Sequence, residues 1–162
     1  VKRDRVYVYT DGGCKPNPGV GAAASILVFN GEIVDQIINS KNDTTNNEME
    51  LAAFLQGVML VFKFINPINR TLNNKKLIVY CDSQYVVKGV NEWRHLWKSL
   101  GWRKSNGSPI SNLDMWKSVD EVMEGVLEVE PGFKVKHVRA HNGNKFNEIV
   151  DNMCTQAINE LI

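Results

Sequence analysis

Apolar and polar positions along this chain follow two periods, and the changes between them mark its elements. Val6-Tyr7-Val8-Tyr9-Thr10 and Leu77-Ile78-Val79-Tyr80-Cys81 are short β-branched and aromatic runs, closed by Asp11 and Asp82 respectively. Runs of that length and composition predict two buried, neighbouring strands. Gly12-Gly13-Cys14-Lys15-Pro16-Asn17-Pro18-Gly19 predicts a loop, because Gly and Pro supply the φ values of a tight reversal. Ala22–Phe29 and Glu32–Ile38 predict two further strands joined at the Asn30-Gly31 hairpin signal, so the chain opens as an antiparallel meander. Met49 to Ile65 is apolar nearly all round, which predicts a long buried helix, and Thr45 and Glu48 ahead of it stand at capping-box spacing. Pro67 and the Asn-rich stretch to Asn74 break that helix. Helices over Ser83–Trp93, in the tryptophan-rich segment before the Lys104–Ser108 turn, over Leu113–Leu127 and over Asn147–Leu161, with a strand over Phe133–Val138, complete the order β-β-β-α-β-α-α-α-β-α. The expected architecture is α/β, a five-stranded mixed sheet flanked by helices.

With 162 residues, 43% of them hydrophobic, the chain suffices for one well-buried core, and we expect one domain over 1–162. A net charge of +1 does not announce a nucleic-acid binder, but the charges are unevenly placed. Arg94, Lys98, Arg103 and Lys104 cluster with Trp93, Trp97 and Trp102, whereas residues 114–130 carry Asp114, Asp120, Glu121, Glu124, Glu128 and Glu130. That distribution predicts a molecule with a basic and an acidic side. Cys14, Cys81 and Cys154 are odd in number and far apart, which fits neither a disulfide scaffold nor a zinc site and points to a reducing, cytoplasmic setting. No apolar run approaches ~20 residues, so no membrane span is expected. Val1 in place of an initiator Met leaves open a domain cut from something larger.

Four acids carry the candidate chemistry. Asp11 and Asp82 stand at the carboxyl ends of adjacent strands, where the crevice of an open α/β sheet lies. Glu50 sits one turn into its helix, on a face shared with Phe54, Gly57 and Val58, and Asp151 falls near the start of the last helix. Any one of them has a plain alternative as a cap, a salt-bridge partner or a helix-dipole acid. Together they would raise one another's pKa by like-charge repulsion, and a divalent cation relieves that. An all-oxygen set suits magnesium, with manganese as a substitute. Glu48 is set apart: it occupies the capping position, and two residues along a helix its side chain points about 200° away from that of Glu50.

Thr10-Asp11-Gly12-Gly13, Thr45-Asn46-Asn47-Glu48-Met49-Glu50-Leu51, Asp82-Ser83-Gln84-Tyr85-Val86 and Val138-Arg139-Ala140-His141 followed by Asp151 resemble the signature blocks of the type 1 ribonucleases H, in that family's order and spacing. The resemblance covers essentially the whole chain. It implies a ribonuclease H-like fold and an endonuclease that cuts the RNA strand of RNA–DNA hybrids without sequence specificity. Products would carry 5′-phosphate ends. Two magnesium ions would be held by Asp11, Glu50, Asp82 and Asp151, with Asp11 bridging them and His141 assisting proton transfer or product release. It further implies RNA-strand contacts from Cys14, Asn17, Asn46, Asn47 and Gln84. Amides suit that role because each offers a donor and an acceptor to a 2′-OH. DNA-strand contacts are implied from Tyr85 and Trp93 against deoxyribose, with Thr45 and Asn112 on a phosphate. The tryptophan-rich basic segment resembles the family's basic protrusion, or handle, with Trp97, Trp102 and Trp116 as its packing, while His95 and His137 match no motif.

Two departures matter. Asp43 stands where relatives often place Arg, two residues before Thr45, and Ser99-Leu100 thins the handle's charge. Both predict modest hybrid affinity and a monomer assisted by another domain or partner. Competing readings are an RNase H domain excised from a reverse transcriptase, a non-catalytic hybrid-binding module, and a resolvase or integrase of the same superfamily. Four intact carboxylates argue against the module, and the Thr-Asn-Asn and Asp-Ser-Gln blocks argue against the last.

Overall fold

The computed structural model describes residues 3–66, 75–139 and 144–162. Its sheet is mixed, in the order β3-β2-β1-β4-β5: β1 (Arg5–Lys15), β2 (Gly19–Phe29) and β3 (Glu32–Thr44) form the expected antiparallel meander, and β4 (Lys76–Cys81) and β5 (Lys134–His137) continue it in parallel. Side chains of β1 alternate between two cores, as the strand period requires. Val6 and Val8 enter a core with Leu51, Phe54, Val58 and Val79, while Tyr9 enters a second with Ile26, Val150 and Ile158. Helix α1 (Asn46–Ile65) supplies the first face and α5 (Lys145–Asn159) the second. Phe54 is fully buried, and truncating such a ring to Ala removes about 3–5 kcal/mol.

The three meander strands exceed the expected lengths, whereas β5 falls one residue short of the expected Phe133–Val138 at each end. Gly12, Gly13 and Cys14 are not loop: β1 runs on to Lys15, pairing with β2 as far as Lys15↔Val20, and the reversal is confined to the residues between Lys15 and Gly19. Glycine here serves close packing, since a Cβ on Gly12 would lie 2.2 Å from the Met49 carbonyl carbon. β3 likewise continues past Ile38 through polar residues to Thr44, because an edge strand keeps its pairing while its outer side meets water.

Thr45 caps α1, its side chain accepting from the Glu48 N–H at 3.2 Å. The reciprocal half of the capping box is absent. Glu48 instead accepts from Thr44 Oγ1 at 2.7 Å and pairs with Lys41 Nζ at 2.6 Å, which holds its carboxyl below the usual range. The helix expected over 83–93 is longer and interrupted: α2 (Gln84–Lys88) passes through a wide π turn at Gly89–Trp93 into α3 (Arg94–Ser99). α4 (Leu113–Val129) packs against this segment through Trp116, Val119 and Met123. No helix among the described residues is long and apolar enough to cross a membrane.

Candidate active site

β1 and β4 pair in parallel through Thr10↔Cys81, so Asp11 and Asp82 stand side by side where β4 ends. Behind them Thr10 Oγ1 donates to Cys81 Sγ at 3.2 Å. Both aspartates continue the strand face that carries Tyr9 and Tyr80, whose rings stack at 5.1 Å, and this face looks toward α5. Gly12 lets the α1 backbone press onto β1, leaving 2.4 Å between its notional Cβ and the Glu50 nitrogen. That contact carries Glu50 to the aspartates. Its carboxylate accepts a short hydrogen bond from Ser83 Oγ, which also caps α2 by accepting from the Val86 N–H at 3.2 Å. Asp151 arrives from the second turn of α5, deeper in that helix than expected, between Val150 and Cys154 of the core.

The electrostatics of this centre are those of like charges held together. Burial pushes the Asp11 carboxyl up to about 9, with the charge of Asp82, a hydrogen bond with Asp151, and the charges of Asp151 and Glu50 adding to it. Asp82 is raised by burial and by Asp151, against opposing effects from His137 and a hydrogen bond with Asp11. Glu50 is raised by burial, with Ser83 opposing and Asp82 adding. Among the described residues no three His, Cys, Asp or Glu side chains form a ready-made metal cage. Asp11 instead stands within hydrogen-bonding reach of Asp82 and Asp151, and a hard cation is the species that would relieve their repulsion. The donor set fits magnesium: it is all oxygen, since burial drives the Cys81 and Cys154 thiols up to about 12.

A groove of about 590 Å³ opens from Glu50 and is lined by Asn17, Thr45, Asn46, Asn47, Ser111 and Asn112. The amides and the Thr that the sequence singled out therefore converge, with Asn17 Oδ1 accepting from the Asn46 N–H at 3.2 Å. A second groove of about 630 Å³ adjoins it through Asn47, walled by Tyr85, Trp93, Trp97 and Trp116. The family model for RNase H matches residues 3–159, a span that holds all four carboxylates. This chain belongs to the RNase H family. It is 36% identical over 155 residues to a ribonuclease H of Chromobacterium violaceum, covering 96% of this chain and 95% of that one. A ribonuclease H of Francisella tularensis subsp. novicida is 37% identical over 161 residues, covering 99% and 95%. Among solved structures, LC11-RNase H1 in complex with an RNA/DNA hybrid superimposes with a TM-score of 0.68 at 18% identity, covering 96% of this chain and 98% of that one.

Within this RNase H family member the remaining expected site residues divide. Tyr85 and Trp93 face the second groove, their rings 6.2 Å apart, and Asn112, at φ 58°, reaches Tyr85 OH with its Nδ2 at 3.4 Å. Trp97, expected in the packing of the handle, also walls this groove, with the buried Trp116 behind it. Cys14 and Gln84 stand outside both grooves. Cys14 Sγ lies 3.1 Å from the Pro16 carbonyl oxygen and 3.2 Å from that of Thr44, and Gln84 is exposed at the first residue of α2. His141 lies outside the described residues. His137, which matched no motif, sits at the end of β5 with Nε2 3.2 Å from the Asp82 carbonyl oxygen; only the β4–β5 pairing, invisible in sequence, brings it there.

The basic and acidic segments are partners rather than opposite sides of the molecule. Arg94, 2% exposed, places Nη1 2.9 Å from Asp120 and 2.8 Å from Glu124, and Lys98 Nζ is 2.9 Å from Asp120. Burial would raise Asp120, but hydrogen bonds from Lys98 and Arg94 outweigh it and hold the carboxyl low; the Arg94 hydrogen bond does the same for Glu124. Of the handle's four cations, Arg103 and Lys104 take no part in the ion pairs among the described residues.

Proposed function

We infer that this chain, as one catalytic domain over 1–162, is an endonuclease that hydrolyses the RNA strand of RNA–DNA hybrids without sequence specificity. The observation that carries the reading is the convergence of Asp11, Glu50, Asp82 and Asp151 from four elements with no Lys or Arg among the described residues paired to any of them, beside a groove lined by amides. A binding module gains nothing from assembling four unneutralised acids on a phosphate path. Magnesium, in two ions, would supply water activation at neutral pH and stabilise charge on the leaving oxygen.

The chain's own groups do the rest. Asp11, Glu50, Asp82 and Asp151 would hold the cations, with Asp11, flanked by Asp82 and Asp151, as the carboxylate shared between them. Ser83 holds Glu50 in a fixed orientation, so that carboxylate need not search for its position. Asn17, Asn46 and Asn47 line the path nearest Glu50 and suit a 2′-OH; Cys14 and Gln84 would add RNA contacts from its margin. Tyr85 and Trp93 offer ring faces to deoxyribose, and Thr45 and Asn112 lie together where a DNA phosphate would pass. Asp43 is exposed beside that position, and only Arg103 and Lys104 of the handle are unpaired among the described residues, so hybrid affinity is modest and a tethered domain or partner raises it. His141 serves proton transfer or product release. The three thiols are free, in keeping with a reducing cytoplasmic setting, and the protein acts as a monomer.

A hybrid labelled on each strand in turn tests this reading. Magnesium-dependent fragments should come from the RNA strand alone and carry 5′-phosphate and 3′-hydroxyl ends. Fragments of the DNA strand, or RNA ends with the phosphate on the 3′ side, would contradict it.

A further inference from the structure

We propose that Arg94 is a positioning residue for the DNA strand: by closing the wide turn at Gly89–Trp93, it sets Trp93 and Trp97 as one wall of the aromatic groove. The proposal rests on the reading of that groove as a hybrid-binding surface.

A guanidinium in a core is costly to desolvate, and an apolar side chain of similar volume usually serves stability as well or better. Arg94 is buried nonetheless, and its contacts show what it does. In an α-helix its N–H would bond the carbonyl of Val90, four residues back. Here that N–H bonds Gly89, five back, and the Val90 carbonyl takes the Arg94 Nε at 2.6 Å instead. The side chain thus supplies the donor that its own backbone has moved elsewhere. Its other end is fixed to α4 through Asp120 and Glu124.

The turn it closes has a geometric consequence. Tyr85 and Trp93 are eight residues apart, which in a straight α-helix puts them about 12 Å apart along the axis and about 80° apart around it. One residue's worth of extra backbone in a π turn takes back about 100°, leaving the two side chains within about 20° of one line. Their rings meet at 6.2 Å. Trp116 presses into the same turn, where a Cβ on Gly89 would fall 1.8 Å from its ring, and its Nε1 donates to Tyr85 OH at 3.0 Å. Trp93–Trp97 at 5.7 Å, Trp97–Trp116 at 5.3 Å and Tyr85–Trp116 at 5.4 Å close a ring of four aromatics. Arg94, adjacent to Trp93 and three residues before Trp97, ties the Trp93–Trp97 side of this ring to α4, as the Trp116–Tyr85 hydrogen bond ties the other. A sheet-facing or α4-facing helix needs no such tie for its packing; a groove wall whose ring faces must stay aligned to a sugar path does.

Steady-state cleavage of a hybrid by Arg94→Met, Arg94→Lys, Trp93→Ala and the Trp93→Ala/Arg94→Met double variant tests the proposal. Lys98 still pairs with Asp120 in Arg94→Met, so the fold is kept. We expect KM to rise about tenfold, the scale of losing one aromatic contact to a nucleic-acid strand, with kcat within about twofold of the unaltered enzyme. In the Trp93→Ala background the Arg94→Met change should add nothing further to KM, because both act on the same wall. Arg94→Lys keeps the charge near Asp120 but cannot serve both ends, so it should show an intermediate KM; it decides the matter should the Met variant lose its near-UV circular dichroism. Unchanged KM in both Arg94 variants, a fall in kcat alone, or full additivity with Trp93→Ala overturns the proposal. Hybrid affinity in EDTA, read by fluorescence anisotropy, separates it from the cleavage reading. A protein that binds hybrid without cutting it defeats the nuclease assignment alone, and Arg94 is then judged by whether Arg94→Met weakens Kd about tenfold.

Discussion

Acidic side chains gather at two places in this molecule, and the two gatherings differ in what neutralises them. At the strand ends Asp11, Glu50 and Asp82 are raised by burial, with neighbouring acids adding to the effect, and none is paired with a Lys or Arg among the described residues. On α4 Asp120 and Glu124 are lowered, because Arg94 and Lys98 already satisfy them. The second group is complete and holds the handle to the body. The first has no such partner among the described residues, and in the proposed reading magnesium would supply the balancing charge. Acids with protein cations beside them are framework here, and the proposed reading takes the acids without them as the reaction centre.

Exchanging one acid in each group should break the comparison most sharply. Asp11→Asn is expected to lower kcat by at least about 10³-fold, the scale of removing one preorganised electrostatic element, with an unchanged circular dichroism spectrum. Near-normal turnover in a folded Asp11→Asn protein would remove Asp11 from the centre. Asp120→Ala should do the reverse: a loss of about 3 kcal/mol in urea unfolding, since Arg94 is left buried with only Glu124, while kcat at saturating hybrid is kept. Stability unaffected by that change would mean that the network is not framework.

Gly12→Ala comes next, because the added methyl would meet backbone rather than a movable side chain. At least about 1–3 kcal/mol of destabilisation is expected, together with a fall in kcat as Glu50 is pushed off Asp11. A variant with normal stability and turnover would show that α1 can withdraw without moving the site.

The pH dependence sharpens the same contrast by its sign. Asp11, Glu50 and Asp82 hold protons more tightly folded than unfolded, so the stability they contribute is complete below about pH 4 and is lost as the pH climbs toward about 9. Asp120 and Glu124 behave oppositely: their contribution is present above about pH 4 and lost on acidification. In EDTA the Tm should accordingly fall between pH 5 and pH 9, and both Asp11→Asn and added magnesium should flatten that slope. A slope untouched by either would assign it to other groups. The smallest effect is expected of Trp93→Ala, a rise in KM for the hybrid of about tenfold with little change in kcat; an unmoved KM would make Trp93 structural.

Much of this was legible in the sequence, and what was not has physical reasons. Two apolar runs each closing on an aspartate declared the Asp11–Asp82 pair, because parallel neighbours in register end together. The Gly-rich segment misled. Gly12 and Gly13 read as a turn, but they sit inside β1, where Gly12 admits the α1 backbone, and local signals do not distinguish a glycine needed for φ from one needed for space. Arg94 read as part of a basic surface because charged residues are rarely buried unless paired, and its partners lie 26 and 30 residues away on α4. Trp97 does pack as expected, against the core and Trp116, but that it also walls a groove depends on the π turn, which apolar periodicity does not announce. His137 came to Asp82 only through the pairing of β5 with β4.

The most direct test of the account is one set of labelled duplexes, RNA–DNA, RNA–RNA and DNA–DNA, incubated with magnesium and with EDTA. The account predicts cutting of the RNA strand of the hybrid alone, abolished by EDTA and by Asp11→Asn but retained in Asp120→Ala. Cutting that persists in EDTA, or that extends to DNA–DNA, would contradict it.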